Sequence, residues 1–257
     1  MDWRPGYREQ PPPAGLLPSV ACLWARVVGP GADAVAAVLP DACVDLIWEQ
    51  GHGLFVAGPD IGPVPSATPA GTVFAAVRFA PGAAGPALGL PMSELLNQRV
   101  DAADLGTRPG AELARALPGS LGPAQALAVL ARMAGTMTAE APADPLAAHA
   151  ARMLRRPGAR AEGVAERLEV SERQLRRRCQ AAVGYGPATL RRVLRFRRFV
   201  AWADAGAPGD DLASAAAELG YADQAHLTRE CARLAGLTPA ALLAARRPAG
   251  QGASISR

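Results

Sequence analysis

Apolar residues come in short runs through the first third of the chain and recur at helical spacing through the rest. Segments 20–28, 34–39, 44–49, 54–57 and 72–79 are apolar and partly β-branched or aromatic, which predicts strands. Clusters such as GPGAD (29–33) and GPDIGPVPSATPAG (58–71) separate them as turns. Regular short spacing of this kind suits an antiparallel sandwich or barrel. After Pro91 the texture becomes helical. Ser93 is placed to cap a helix running toward Arg99, and 109–117 and 122–137 carry apolar residues at helical intervals. The stretch TAEAPADP (138–145) reads as an interdomain linker. Past it, seven helices are expected, at 146–156, 162–168, 172–183, 188–204, 211–219, 223–235 and 240–245. The expected division is therefore a β-rich part with trailing helices over 1–140, a helical domain over 141–247 and a tail over 248–257.

Within the helical domain one local pattern is written twice. Leu175, Arg177, Cys179, Gly184 and Pro187 recur as Leu227, Arg229, Cys231, Gly236 and Pro239, at a common offset of 52. Each Gly falls where a helix C-cap is expected and each Pro at a first helical position. Ahead of each copy stand a short helix-like stretch and a turn: AERLEVSERQL (165–175) and AAELGYADQAHL (216–227). Two helix-turn-helix units in one domain suit reading two stretches of DNA major groove, with the N-terminal residues of each second helix at base edges. Outward-facing candidates are Glu172, Arg173 and Arg176, then Gln224, Ala225, His226 and Thr228, with Arg177 and Arg229 beside them. Arg pairs bidentately with guanine, Gln with adenine, and a small apolar group meets the thymine methyl. Ser171 is placed to cap the first of these helices. On the long helix, Arg191, Arg192, Arg195 and Arg198 surround an apolar face and either meet phosphate or are simply solvated.

Charge sharpens this reading. All 27 basic residues are Arg, which fits a GC-rich coding bias. Residues 1–150 hold 8 Arg against 13 Asp and Glu, whereas 151–257 hold 19 against 10. A polyanion partner is thus expected for the second half only, and double-stranded DNA is that partner. The start of the chain lacks an apolar signal segment, no run is long enough to span a membrane, and four unpaired cysteines suit a reduced compartment. A cytoplasmic protein without membrane contact is expected.

The stretch AELGYADQAHLTREC (217–231), ending in LAGLTP (234–239), resembles the signature of AraC/XylS-type bacterial transcription regulators. The resemblance covers about 142–246. It implies two helix-turn-helix subdomains joined by a long helix, here 188–204, with 172–180 and 223–232 as the reading helices in successive major grooves. An activator of this kind would also contact RNA polymerase. Five positions depart from the pattern. Cys179 and Cys231 stand where Phe is usual, Leu227 where Phe or a similar residue is usual, Glu169 where Gly is usual in the first turn, and Ala222 where a Ser cap is usual.

VLPDACVDLIWEQG (38–51), FVAGPD (55–60) and AAVRFAPGAA (75–84) resemble a group of such regulators with a β-rich N-terminal domain. That resemblance implies a sensor or dimerisation domain, often a cupin-like barrel, hence a homodimer and a small-molecule effector. Trp24, Trp48, Phe55 and Phe79 either line such a barrel or pack as its core. Arg78 either binds an anionic ligand or pairs with Asp45 or Asp41. Cys43 is either a redox sensor or a buried structural thiol. The alternatives to a sensor are a ligand-free dimerisation scaffold and a cupin-type enzyme. Metal-dependent cupins need several His converging on one ion, and only His52 and His149 lie outside the reading region. No enzyme activity, metal or cofactor is expected.

Overall fold

A computed structural model describes residues 5–29, 36–66, 68–206 and 211–246. Its first half is built on an antiparallel sheet. The strands are β1 (Gly6–Gln10), β2 (Val20–Val27), β3 (Ala36–Val38), β4 (Val44–Glu49), β5 (Gly53–Ala57), β6 (Val64–Ser66), β7 (Val73–Phe79) and β8 (Arg99–Asp101). Six of them pair in the order β1-β2-β7-β4-β5-β8, and β3 pairs with β6 separately.

Strand alternation divides the sheet into two unlike faces. Leu23, Leu46, Trp48, Val56, Val77 and Phe79 point to one side. There they meet α2 (Arg108–Ala116) and α3 (Pro123–Glu140), which contributes Leu127, Leu130 and Met137. Trp24, Ile47, Phe55, Phe74 and Ala76 line the other side with Arg78 and Asp45.

Two expectations need correction here. Among the described residues the sheet is open, with β1 and β8 as its edges, and no pairing closes it into a barrel. A helix layer buries one face, which removes the apolar surface that closure would otherwise have to hide. The segment from Ser93 toward Arg99 is not one helix. It is a 3-10 turn (Met92–Leu95), after which Asn97 takes φ 57° and β8 joins the sheet. A further short helix, α1 (Ala84–Leu88), precedes that turn.

The second half is helical throughout: α4 (Pro145–Leu154), α5 (Ala161–Arg167), α6 (Glu172–Val183), α7 (Pro187–Asp204), α8 (Leu212–Glu218), α9 (Gln224–Ala235) and α10 (Pro239–Arg246). The tail expected from 248 lies outside the described residues. The α5–α6 and α8–α9 pairs form the two helix-turn-helix units. Between them α7 buries Leu190, Val193, Leu194, Phe196, Phe199 and Val200. Gly184 and Gly236 end α6 and α9 in the left-handed conformation, and Pro187 and Pro239 open α7 and α10. One apolar core draws on residues 16–137 and a second on residues 147–242, joined by Ala42 from the first half. The linker stretch is largely structured: α3 runs to Glu140, and Asp144 caps α4 by accepting from Leu146 and Ala147.

Candidate nucleic-acid interface

The two reading helices are built alike and anchored alike. Leu175 and Cys179 under α6, and Leu227 and Cys231 under α9, are fully buried. The smaller Cys in place of Phe is therefore accommodated within a closed core. Burial pushes the Cys179 thiol up to about 11 and the Cys231 thiol up to about 12, so both stay protonated and inert. Ser171 caps α6, its hydroxyl accepting from the Gln174 amide at 3.2 Å. In the first turn Glu169 takes φ 53°, a left-handed conformation that costs a non-glycine residue about 1 kcal/mol.

The start of α9 differs from expectation. The helix begins at Gln224, and Asp223 is its cap, accepting from the His226 amide at 2.6 Å. The change at Ala222 therefore removes no cap, since the carboxylate one residue later fulfils that role. A negative side chain also suits the positive end of the helix dipole.

Opposite the buried stripes, Glu172, Arg173, Arg176 and Arg177 on α6 are exposed, as are Gln224, Ala225 and Arg229 on α9. Thr228 is half-buried and donates back to the Gln224 carbonyl at 2.9 Å. No salt bridge occupies Arg173, Arg176, Arg177 or Arg229 among the described residues. Their guanidinium groups remain available to an outside anion.

His226 is turned inward. Its ring meets Tyr221 edge-on at 5.5 Å, Nδ1 lies 3.3 Å from the Ala222 amide and Nε2 lies 3.1 Å from Arg195. Burial and the Arg195 charge hold its pKa below the usual histidine value. Neutral His226 thus shapes the start of α9 from behind.

Arg198, a candidate phosphate contact in the sequence, is engaged within the fold. Its guanidinium donates to the carbonyls of Arg155 and Leu219, the latter at 2.9 Å. These residues are the C-caps of α4 and α8, where unpaired carbonyls and the negative dipole end attract a cation. The neighbouring arginines are engaged in the same manner. Arg191 donates to Ala159 O at 3.3 Å, and Arg192 pairs with Glu230 at 3.1 Å. Arg195 is buried, donates to Gly220 O at 3.2 Å, meets Glu230 at 3.3 Å and lies 4.5 Å over the Tyr221 ring. The α7 arginines 191, 192, 195 and 198 are thus cross-braces between helices. A sequence pattern of alternating Arg and apolar residues does not reveal them, because their partners are backbone carbonyls and the Glu230 carboxylate, all distant in the chain.

On the back of α6, Arg178 holds Asp144 through two bonds, Nη2 to Oδ1 at 2.8 Å. Burial opposes the charge on Asp144, but the bonds from Arg178 and from the Ala147 and Leu146 amides outweigh it and hold the carboxyl below the usual range.

The second candidate site is a cleft of about 830 Å³ over the outer sheet face, a size suited to a small molecule. Trp24, Ile47, Phe55 and Phe74 form its floor, while Arg197 and Asp204 of α7 and Arg246 of α10 stand on its far wall. Asp204 and Arg246 are themselves paired, at 2.5 and 2.9 Å. Trp24 and Phe55 were expected here. Trp48 and Phe79 are exceptions: alternation sends both to the opposite face, where they are fully buried, Trp48 donating from Nε1 to Pro118 O at 3.0 Å. Arg78 is paired twice with Asp45, at 2.9 Å each, and reaches Asp41 at 3.4 Å and Glu9 at 3.2 Å. Although burial works against its charge, Asp45 keeps Arg78 firmly protonated. Cys43 sits at the same rim. Burial, and then Asp41, push its thiol well up, which disfavours the reactive thiolate.

The sequence model described as a helix-turn-helix domain matches residues 164–245, the two units just described. The C-terminal half is an AraC-type helix-turn-helix DNA-binding domain. A second model, described as a domain of unknown function (DUF6597), matches residues 8–101, which span the sheet. No curated protein matches the chain. Among solved structures the chain is similar to ToxT from Vibrio cholerae, at 8% identity over 88% of this chain and 97% of that one, with a TM-score of 0.45. It is similar also to unsaturated fatty acid bound wild-type ToxT, at 9% identity over 81% and 89% of the two chains, with a TM-score of 0.41. No described helix is long and apolar enough to cross a membrane.

Proposed function

We propose that this chain is a sequence-specific transcription regulator whose AraC-type domain reads DNA and whose N-terminal half senses a small molecule. The observation that carries the DNA reading is the pair of capped helices with exposed, unpaired arginines on matching faces. Arg173, Arg176 and Arg177 on the first, with Glu172, and Gln224, Ala225, Thr228 and Arg229 on the second, are the residues placed to meet bases and phosphates. His226 supports the second helix from within. The proposed boundary between the two functions is 140/141, supported by a first apolar core that draws on residues up to 137 and a second that draws on residues from 147. Selection of bound duplexes from a random pool tests the reading: enrichment of one site with two recognised segments supports it, and no enrichment rejects it.

The cleft is the proposed effector site. Its apolar floor belongs to the sheet and its far wall to α7 and α10, so occupancy bears on both halves at once. Trp24 and Phe55 would stack on the ligand, and Arg78 would order the carboxylates around it. Binding to the folded state raises the melting temperature by mass action. A small-molecule screen on the full chain should therefore give hits that shift melting and change DNA affinity together. Hits whose binding survives Phe55→Ala and Trp24→Ala unchanged would move the effector elsewhere. The N-terminal half is also the proposed homodimer contact, since a second protomer multiplies selectivity for DNA without new contacts within either reader. If the protein activates transcription, contact with RNA polymerase follows.

A further inference from the structure

The doubled pattern contains two residues that base reading does not use: Gly184 and Gly236, each opening a Gly-x-x-Pro turn. Both turns are touched by one loop of the N-terminal half, the segment 58–63 between β5 and β6. A Cβ on Gly184 would stand 2.5 Å from the Pro59 ring and 3.0 Å from Met92 O. A Cβ on Gly236 would stand 3.6 Å from the Pro63 ring, and one on Gly62 3.8 Å from Arg233 O. The loop therefore meets the C-terminal turn of each reading helix with a proline. Four residues of chain span at most ~14 Å, so the two prolines fix a short, bounded separation.

The loop is itself tightly held. Gly58 donates to Gln98 O at 3.0 Å, Asn97 donates to Pro59 O at 2.9 Å, and the Ile61 amide donates to Asn97 Oδ1 at 3.0 Å. Asp60 is buried and takes two bonds from Arg99, at 2.6 and 3.1 Å. Gly58 lies so close to the 3-10 turn Met92–Leu95 that a Cβ would fall 1.9 Å from Leu95 O. Proline rings add contacts without rotamer freedom to lose.

We propose that the 58–63 loop is a positioning element: it fixes the two reading helices relative to one another and so sets the spacing between the DNA segments they accept. This rests on the DNA reading above. It also links the two sites, because Asp60 and Arg99 line the effector cleft as well.

The test uses the full chain, a Pro59→Ala/Pro63→Ala double variant and a Pro69→Ala control. Affinities are measured for the selected site and for versions with the spacer between its two segments changed by one or two base pairs. Wild type and control should lose about tenfold or more per altered base pair, the usual scale of one mismatched position. The double variant should lose only about two- to threefold, with its best affinity lowered. A spacing profile identical to wild type overturns the proposal. So does equally raised affinity at every spacer, which would make the loop an inhibitory lock. Hydrogen exchange on DNA-free protein supplies a second, independent reading. The Gly184 and Gly236 amides close α6 and α9 at 3.0 and 3.1 Å, and both should exchange faster in the double variant. Unchanged exchange at both turns overturns the restraint even if wild type proves to select no DNA sequence, the result that defeats the DNA reading itself.

Discussion

At the scale of single residues, exposure separates groups that read from groups that hold. Gln224 is exposed in the first turn of a capped helix, with amide geometry matched to adenine. Gln224→Ala should relax preference at one base pair by about 1–3 kcal/mol, read from the binding-site profile of the variant. An unchanged profile, beside one erased by Arg173→Ala, would make α6 the principal reader. Arg198 gives the opposite expectation. Removing its guanidinium leaves two helix C-termini without their donor, at about 0.5–1.5 kcal/mol for each hydrogen bond lost. Arg198→Ala should therefore lower the melting temperature while leaving the site profile intact. Uniform loss of DNA affinity at unchanged stability would restore it to the phosphate backbone. These two side chains show how much was legible. The exposure of Gln224 at the helix start was readable because it depends on helix position alone. Arg198 was not, because its partners, Arg155 O and Leu219 O, are set by the packing of three helices.

At the scale of elements, strong periodicity was readable and brief pairing was not. β2, β4 and β7 carry long apolar runs, and α6 and α7 have caps, stripes and terminal Gly or Pro. β1, β6 and β8 have no such signal. β8 is three residues, Arg-Val-Asp, made a strand only by its pairing with β5. The open sheet was hidden for the same reason, since closure depends on which edges meet rather than on local pattern. Around α9 the cap is the sensitive point. Asp223→Ala should cost about 0.5–2 kcal/mol and weaken reading by the second unit more than by the first, visible as loss of preference in one segment of the site only. The same helix start carries a pH dependence. Burial and Arg195 depress the His226 pKa, so the unfolded chain, near 6.5, binds its proton more readily. The resulting stability is fully present above about pH 6.5 and is lost as pH falls toward the depressed value. Melting of wild type between pH 7.5 and 5 should fall more steeply than that of His226→Gln. Parallel curves would remove His226 from the account.

For the whole molecule, the distribution of charge decides how the two halves divide their work. In the acidic first half two arginines beside the cleft are occupied: Arg78 by three carboxylates and Arg99 by Asp60. The second half uses Arg191, Arg192, Arg195 and Arg198 for bracing, and leaves Arg173, Arg176, Arg177 and Arg229 outward on the reading helices. Its large formal excess therefore overstates the charge it offers to DNA. Each phosphate neutralised releases condensed counterions, so affinity falls with salt at a slope of about 0.9 per contact. A protomer contacting with these four arginines and a few backbone amides would show a shallow slope, near 4. A dimer on two sites would show about twice that, and between 50 and 200 mM salt would lose roughly 10³-fold or more in affinity. Measuring the slope for wild type and for Arg173→Ala, Arg177→Ala and Arg229→Ala separates the two cases. Each variant should reduce it by about one in a monomer and by about two in a dimer, and a slope untouched by all three would place the phosphate contacts on another surface.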